Sequence, residues 1–445
     1  MRKSVPFVGI TFLVLILLLV FVPGRRAPAP QATPSPTQSP AGPAATAPPP
    51  GHPSFLHGRV LTKDGATYEG RLRWGASEEA FWGDYFNGVK GENPWVALAP
   101  LERLPQESHT FRFLGIEFGR QHRLRDLGRR FMARFGDIAR IEGRGAEVRV
   151  TLKSGTTFDL RRMDASDFDD GVRVWDARRG VVDLDSLRID TIEFLSGSQA
   201  GPAPDRLHGT VRTRQGAFTG FLQWNRNASL GSDELAGRSA GEKHSLRFDS
   251  LRSIARRSPE GALVTLVDGR VLEFGGTGDL GNGNLGVYVD DPRFGRVLVS
   301  WDAFERVDFG PPGSGPAYAD FPKGLPLTGS VVTIDGRRLA GRLVYDLDES
   351  ETTETFDAPS EGVDYTIPFG LVASIVLGND AQPAEVTLHN GERLRLERSG
   401  DLGEANAGML VFGEGAGRPE YVPWSEVQRV DLDRPLAMFP PLTAP

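Results

Sequence analysis

Three stretches of this chain open with the same phrase: Leu56-His-Gly-Arg-Val-Leu-Thr-Lys-Asp-Gly65, Leu207-His-Gly-Thr-Val-Arg-Thr-Arg-Gln-Gly216 and Leu327-Thr-Gly-Ser-Val-Val-Thr-Ile-Asp-Gly336. Each runs on to a second glycine and an aromatic: Gly70 with Trp74, Gly220 with Trp224, and Gly341 with Tyr345. A phrase that returns at long period marks an array of like units, which constrains every later reading of the fold. It says much about architecture and little about chemistry, because repeated positions are first of all positions that the fold needs.

Between the opening phrases stands a second one: Val150-Thr-Leu-Lys-Ser-Gly155, Val264-Thr-Leu-Val-Asp-Gly269 and Val386-Thr-Leu-His-Asn-Gly391. Alternating apolar residues follow each copy, among them Phe158 with Leu160, Leu272 with Phe274, and Leu394 with Leu396. Alternation broken by Ser-Gly, Asp-Gly or Asn-Gly predicts tight β-hairpins, since these turns need a positive φ that glycine adopts without strain. The halves also close alike. Phe135, Ile138 and Ile141 recur as Phe248, Leu251 and Ile254 and as Phe369, Val372 and Ile375; the second halves close with Trp301, Phe304 and Val307 and with Trp424, Val427 and Val430. A spacing of three suits one 3₁₀ turn that tucks apolar groups beneath a sheet before a last short strand. The first repeat has Ser186 where the tryptophan would fall.

The order strand, glycine turn, three strands, short turn, strand resembles the small SH3-like and Sm-like barrels over most of residues 56–433. The resemblance lies in strand order and turn placement. It implies a binding or assembly scaffold, and the RNA binding of some Sm-like members is not carried over. The expected fold is all-β: three tandem repeats, each of two related five-stranded SH3-like/Sm-like modules, behind an N-terminal membrane helix. The repeats are placed at 55–196, 205–310 and 325–433, with a C-terminal tail at 434–445. An open sheet pairing the two halves of a repeat fits the same pattern nearly as well.

The 445 residues suffice for several cores, and a prior of roughly 150 residues per domain gives about three. A net charge of −7 argues against a general nucleic-acid binder. The absence of cysteine excludes disulfides, thiolate zinc sites, a cysteine nucleophile and a lipidated N-terminal cysteine. Residues 1–4 read as a cytoplasmic N-terminus and the apolar run 5–22 as a transmembrane signal-anchor, near the lower length limit for a bilayer helix. Phe21, Val22, Arg25 and Arg26 stand where a cleavage site would want small residues, which favours the anchor; Ala27-Pro-Ala29 keeps a cleaved signal open. Residues 23–54, rich in Pro and Ala, cannot bury enough surface to offset their ordering entropy and read as a tether. The expected location is the bacterial cell envelope, membrane-anchored, on its periplasmic or extracellular face.

Gly65 and Gly155 stand 90 positions apart, against 53 for Gly216 and Gly269 and 55 for Gly336 and Gly391. The first repeat therefore holds an insertion, at about 89–134. It carries Trp95 and the basic run Arg120, Arg123, Arg125, Arg129, Arg130 and Arg134. Leu124, Leu127 and Phe131 fit one face of a short helix, although Gly128 interrupts it. These seven residues are the candidate binding set, suited to anionic lipid headgroups, an acidic glycan or an acidic protein partner.

Catalytic strings occur without their context. Gly237-Arg-Ser239-Ala-Gly241 has the form of a nucleophile elbow, but polar loop residues flank it and not a strand entering a helix. Gly276-Thr-Gly278-Asp-Leu-Gly281 has a dinucleotide form, but Asn282-Gly-Asn284 follows where a helix must begin. Its counterpart Gly400-Asp-Leu-Gly403, with Asn406, marks a structural loop. Asp164, Asp167, Asp169 and Asp170 alternate as calcium ligands can, yet no bidentate glutamate follows. The seven histidines do not cluster. The matched tryptophans read as core, and Trp82 and Trp95 as exposed. The sequence thus assigns no catalytic residue, no metal site and no cofactor. It points to a membrane-tethered, extracytoplasmic, non-enzymatic binding or scaffold protein, with an envelope polysaccharide-binding protein or hydrolase as the alternative.

Overall fold

Short alternating runs between glycine turns give strands wherever the period is two. The computed structural model describes residues 52–435 apart from 76–77, 105, 114–115, 125–129, 198–204, 240, 276–277, 312–314, 379–381 and 416, with side chains described except at Ser166 and within 106–124. The protein is all-β and its strand pairs are antiparallel. The anchor at 5–22 and nearly all of the tether lie outside the described residues; among those described, no helix is long and apolar enough to cross a membrane.

Residues 208–309 show the plan most fully. Counted along the chain, their ten strands are His208–Thr213, Gly216–Trp224, Glu234–Ser239, Glu242–Arg247, Leu251–Ser258, Gly261–Leu266, Val271–Gly275, Val287–Asp291, Gly295–Val299 and Arg306–Phe309. In space they lie in the order 4-3-7-6-5-10-1-2-8-9. The two closing strands, fifth and tenth, run side by side at the centre, with Ile254 opposite Val307. Residues 57–194 hold eight strands in the order 9-8-2-1-10-5-6-7, counted the same way, with their third and fourth (Tyr85–Val89 and Arg130–Arg134) forming a separate ribbon. Residues 328–432 hold 7-6-5-10-1-2-8-9, and their third and fourth (Thr355–Ser360 and Val363–Pro368) extend the neighbouring sheet by pairing with Gly295–Val299. No half of a set closes on itself. The first two strands pair with strands of the second half, as Val60 opposite Ile192 and Val211 opposite Val307 show.

Close approach of the eighth strand to the second fixes the second glycine of each opening pair. Gly209 lies opposite Gly220, and a Cβ on Gly220 would collide with the carbonyl oxygen of Asp290 on the next strand. Gly70 and Gly341 face the same collision with Trp175 and Phe412. The turn glycine Gly336 serves differently, standing at φ 85° with open space around it.

Single 3₁₀ turns stand at Phe135–Asp137, Phe248–Ser250, Phe369–Leu371 and Trp424–Glu426, where the spacing of three placed them. Their aromatics and the matched tryptophans are core: Trp74, Trp224, Trp301 and Trp424 are all buried. One continuous apolar cluster runs through 207–432, and a second fills the first set and takes in Phe221 and Phe321. Ser186, in place of a tryptophan, is buried between Arg162, which donates to it at 3.0 Å, and Asp169, which accepts from it at 3.1 Å.

The insertion departs from the helical reading. Gln106–Phe113 and Ile116–Leu124 form a two-stranded ribbon, and Arg130–Arg134 is a strand paired with Tyr85–Val89. Phe131 and Ala133, two apart, both face the core, so a period of two prevails over the helical spacing. Gly128 lies outside the described residues.

Candidate functional site

The recurrent Gly-Asp-Leu-Gly loops, read from the sequence as structural, hold backbone, and so does an aspartate of the acidic loop. The Trp224 indole donates to the Asp279 carbonyl at 3.0 Å, while the Asp279 carboxylate accepts from Ala236 N at 2.9 Å and from Asn225 Nδ2 at 3.0 Å. Asn284 donates to the Asp279 carbonyl and accepts from Gly286 N, both at 2.7 Å. In the third set Tyr345 Oη donates to the Asp401 carbonyl at 2.9 Å, Asp357 N donates to the Asp401 carboxylate at 2.6 Å, and Asn406 repeats the role of Asn284. In the first set the Trp74 indole donates to the Asp167 carbonyl, and Asn87 N donates to its carboxylate at 2.7 Å. The strings Gly-Asp-Leu-Gly and the acidic loop are therefore one latch, tying the second strand to the third through an aspartate. A second latch recurs as well: Asp84, Asp233 and Glu354 each accept two successive backbone N–H groups, from 79–80, 229–230 and 350–351.

Two more acidic loop residues form ion pairs, Asp164 with Arg161 at 2.9 Å and Asp169 with Arg162 at 3.6 Å. Among the described residues no cluster of three or more His, Asp or Glu has the geometry to hold a metal ion. Ser239 ends a hairpin strand opposite Glu242, with no helix behind it.

The candidate binding residues do not form one patch. Arg134 is buried, 2.7 Å from Asp137, and its guanidinium lies over the Trp82 ring. Trp82 is itself buried against Phe321, which corrects its reading as exposed. Trp95 is half-buried, edge-on to Phe412 with Arg342 beside its ring. With Ala99 and Leu104 it docks the insertion onto Val344, Leu347, Leu410 and Tyr421 of the third set. Of the candidate arginines with described side chains, Arg130 alone is exposed. Arg120 and Arg123 lie on the strand Ile116–Leu124, whose side chains are outside the described ones, and Arg125 and Arg129 lie outside the described residues altogether.

Arg130 opens onto a feature that sequence reading did not single out. A cleft of about 380 Å³ lies between Lys90 and Arg130–Ala133 of the first set and Asp346, Asp348, Glu349, Glu354, Asp357 and Asp401 of the third. The tight turn from Tyr345 to Glu349 supplies half of these acids. Its Asp346 and Leu347 both stand at φ 50°, as Asn225 and Arg226 do at 51° and 62°, a conformation that favours Asn and Asp. Lys90 Nζ reaches across, 2.9 Å from Asp348 and 3.0 Å from Glu354, all three side chains being buried. Burial alone would lower its pKa, but Glu354 and Asp348 outweigh it and hold the ammonium above its ordinary value. Burial, with Asp348 and Asp401 close by, pushes the Glu349 carboxyl well above the usual range. Burial, with Asp357 and Asp346, does the same to Asp401. Such a wall can hold a cationic group, and a carboxyl that holds its proton above the usual carboxylate range can also donate it. The acid-rich run from Asp346 to Asp357 was its signal in the sequence; Asp401 showed only as part of the recurrent Gly-Asp-Leu-Gly loop, and Lys90, two sets away, gave none. Comparison with protein-family models, curated proteins and solved structures finds no match.

Proposed function

We propose that this chain is a non-enzymatic binding or scaffold protein, held to the membrane of a bacterial envelope by its N-terminal apolar run and working outside the cytoplasm. The observation that supports it is the latch. The aspartates of the recurrent loops stand at matched places in three sets, and in each they secure the same backbone. On this reading the chain is three tandem repeats. Each repeat is then two related five-stranded halves, strands one to five and six to ten, whose strands interleave, the first beside the tenth. The Arg120–Arg130 region then meets anionic lipid headgroups, an acidic glycan or an acidic partner.

The alternative, an envelope polysaccharide-binding protein or hydrolase, draws on the cleft, where Glu349 and Asp401 are held above the usual carboxylate range. Two measurements separate the readings. The full chain in neutral-lipid nanodiscs should capture phosphatidylglycerol vesicles or an acidic polysaccharide, and replacing Arg123, Arg125, Arg129 and Arg130 by serine should abolish the capture. Release of reducing ends from envelope polysaccharide, lost on Glu349→Gln or Asp401→Asn, would replace the scaffold reading with the hydrolase. Protease added to spheroplasts should degrade residues 55–433 while leaving cytoplasmic proteins intact; protection would remove the extracytoplasmic placement.

A further inference from the structure

The junction between the second and third sets is a strand pair. Gly295–Val299, the ninth strand of the second set, lies against Val363–Pro368, the fourth of the third, with Arg296 opposite Thr366, Val297 opposite Tyr365, Leu298 opposite Asp364 and Val299 opposite Val363. The ninth strand of the first set, Gly180–Leu184, matches Gly295–Val299 position for position: each starts on a positive-φ glycine and pairs back to an aspartate, Asp176 or Asp291. The fourth strand of the second set, Glu242–Arg247, matches Val363–Pro368 through its hairpin register. Yet these two are not joined. Each is the outermost strand of its sheet among the described residues.

We propose that Gly180–Leu184 of one copy of this chain pairs with Glu242–Ser245 of a second copy, in the register that the second and third sets already use. Transferring that register sets Val181 opposite Ser245, Val182 opposite His244, Asp183 opposite Lys243 and Leu184 opposite Glu242. Asp183 and Lys243 are both exposed and opposite in sign, which favours a directly opposed pair. Gly180-Val-Val-Asp-Leu184 carries one charge, no proline and an exposed Val181, so little guards it against strand addition. The joint inside the chain is also locked by the aromatic trio Phe218, Phe294 and Tyr365, with centroids 5.7–6.1 Å apart. Tyr68, Arg179 and His244 hold the matching places, and Arg179 already lies over Tyr68 at 4.6 Å. That more polar trio suits a contact between separate molecules, which must also be stable apart. Because two different edges meet, copies add head to tail, into a ring where the rotation closes and an open filament where it does not. The partner so named goes beyond the scaffold reading and does not depend on the cleft.

The full chain in detergent tests this by sedimentation over a concentration series. Wild type should show concentration-dependent oligomers; Asp183→Lys or Lys243→Asp should weaken association about fivefold, and the double reversal should restore it. The absence of cysteine allows a sharper probe. Asp183→Cys on one tagged copy and Lys243→Cys on another should join in a disulfide, whereas Asp183→Cys with Arg257→Cys, on an unrelated strand, should not. A monomer at every concentration, association indifferent to charge reversal, or equal cross-linking at 243 and 257 would each overturn the proposal.

Discussion

At the scale of the residue, two kinds of side chain do most to hold these sheets. The latch aspartate accepts backbone and side-chain hydrogens at once, so Asp279→Ala removes the carboxylate bonds to Ala236 N and Asn225 Nδ2 and should cost about 2 kcal/mol in urea unfolding. Asp268→Ala on an exposed turn should cost less than about 0.5 kcal/mol in the same experiment. Gly220→Ala has no room for its methyl group and must push neighbouring strands apart, so a loss of at least about 3 kcal/mol is expected, measured as a fall in the urea midpoint. Glu349 gives a pH signature. Its folded-state pKa is raised, so above the usual carboxylate range the folded protein holds a proton that the unfolded chain has released, and stability falls as pH rises through that window. Glu349→Gln should flatten this slope in melting temperatures taken from about pH 4.5 upward.

At the scale of the element, Lys90 acts as a bolt between the end of the strand Tyr85–Val89 and the third set. Removing it leaves Asp348 and Glu354 buried without their shared ammonium, a loss of about 3–5 kcal/mol. Lys90→Ala should therefore loosen the docked segment 93–104, seen as faster amide exchange at Val96–Leu98 and Leu101–Arg103 than anywhere in the second set. This element also shows what a sequence conveys and what it withholds. Glycine turns and alternation announce hairpins because both partners are adjacent in the chain; the closing 3₁₀ turns and buried tryptophans were legible for the same local reason. Which outer edge meets which is decided by pairs far apart, such as Gly58 with Phe194, and no local pattern records it. Arg134 reads as one more surface cation because its cover, Trp82 and Phe321, comes from two distant segments. Recurrence marked the Gly-Asp-Leu-Gly loops as structural, but the backbone their aspartates hold lies too far along the chain for a local pattern to name it.

At the scale of the whole molecule, the second and third sets share a core cluster and a sheet, so they should melt together in calorimetry. A chain ending at 310 uncovers the edge of Gly295–Val299 and should melt lower and aggregate on heating, by light scattering, where the full chain does not. The interleaving of closing strands also imposes a timetable on the nascent chain. Strands five to seven of a set can form a ladder as soon as they emerge, but the opening hairpin waits for the last strand before its outer edge is covered. At synthesis rates of about 5–20 residues per second, His57–Thr62 stays uncovered for on the order of ten seconds before Ile189–Phe194 arrives, longer than its counterparts because the insertion must pass first. The opening hairpin of the first set is thus the segment that a chaperone meeting the nascent chain would have most time to find.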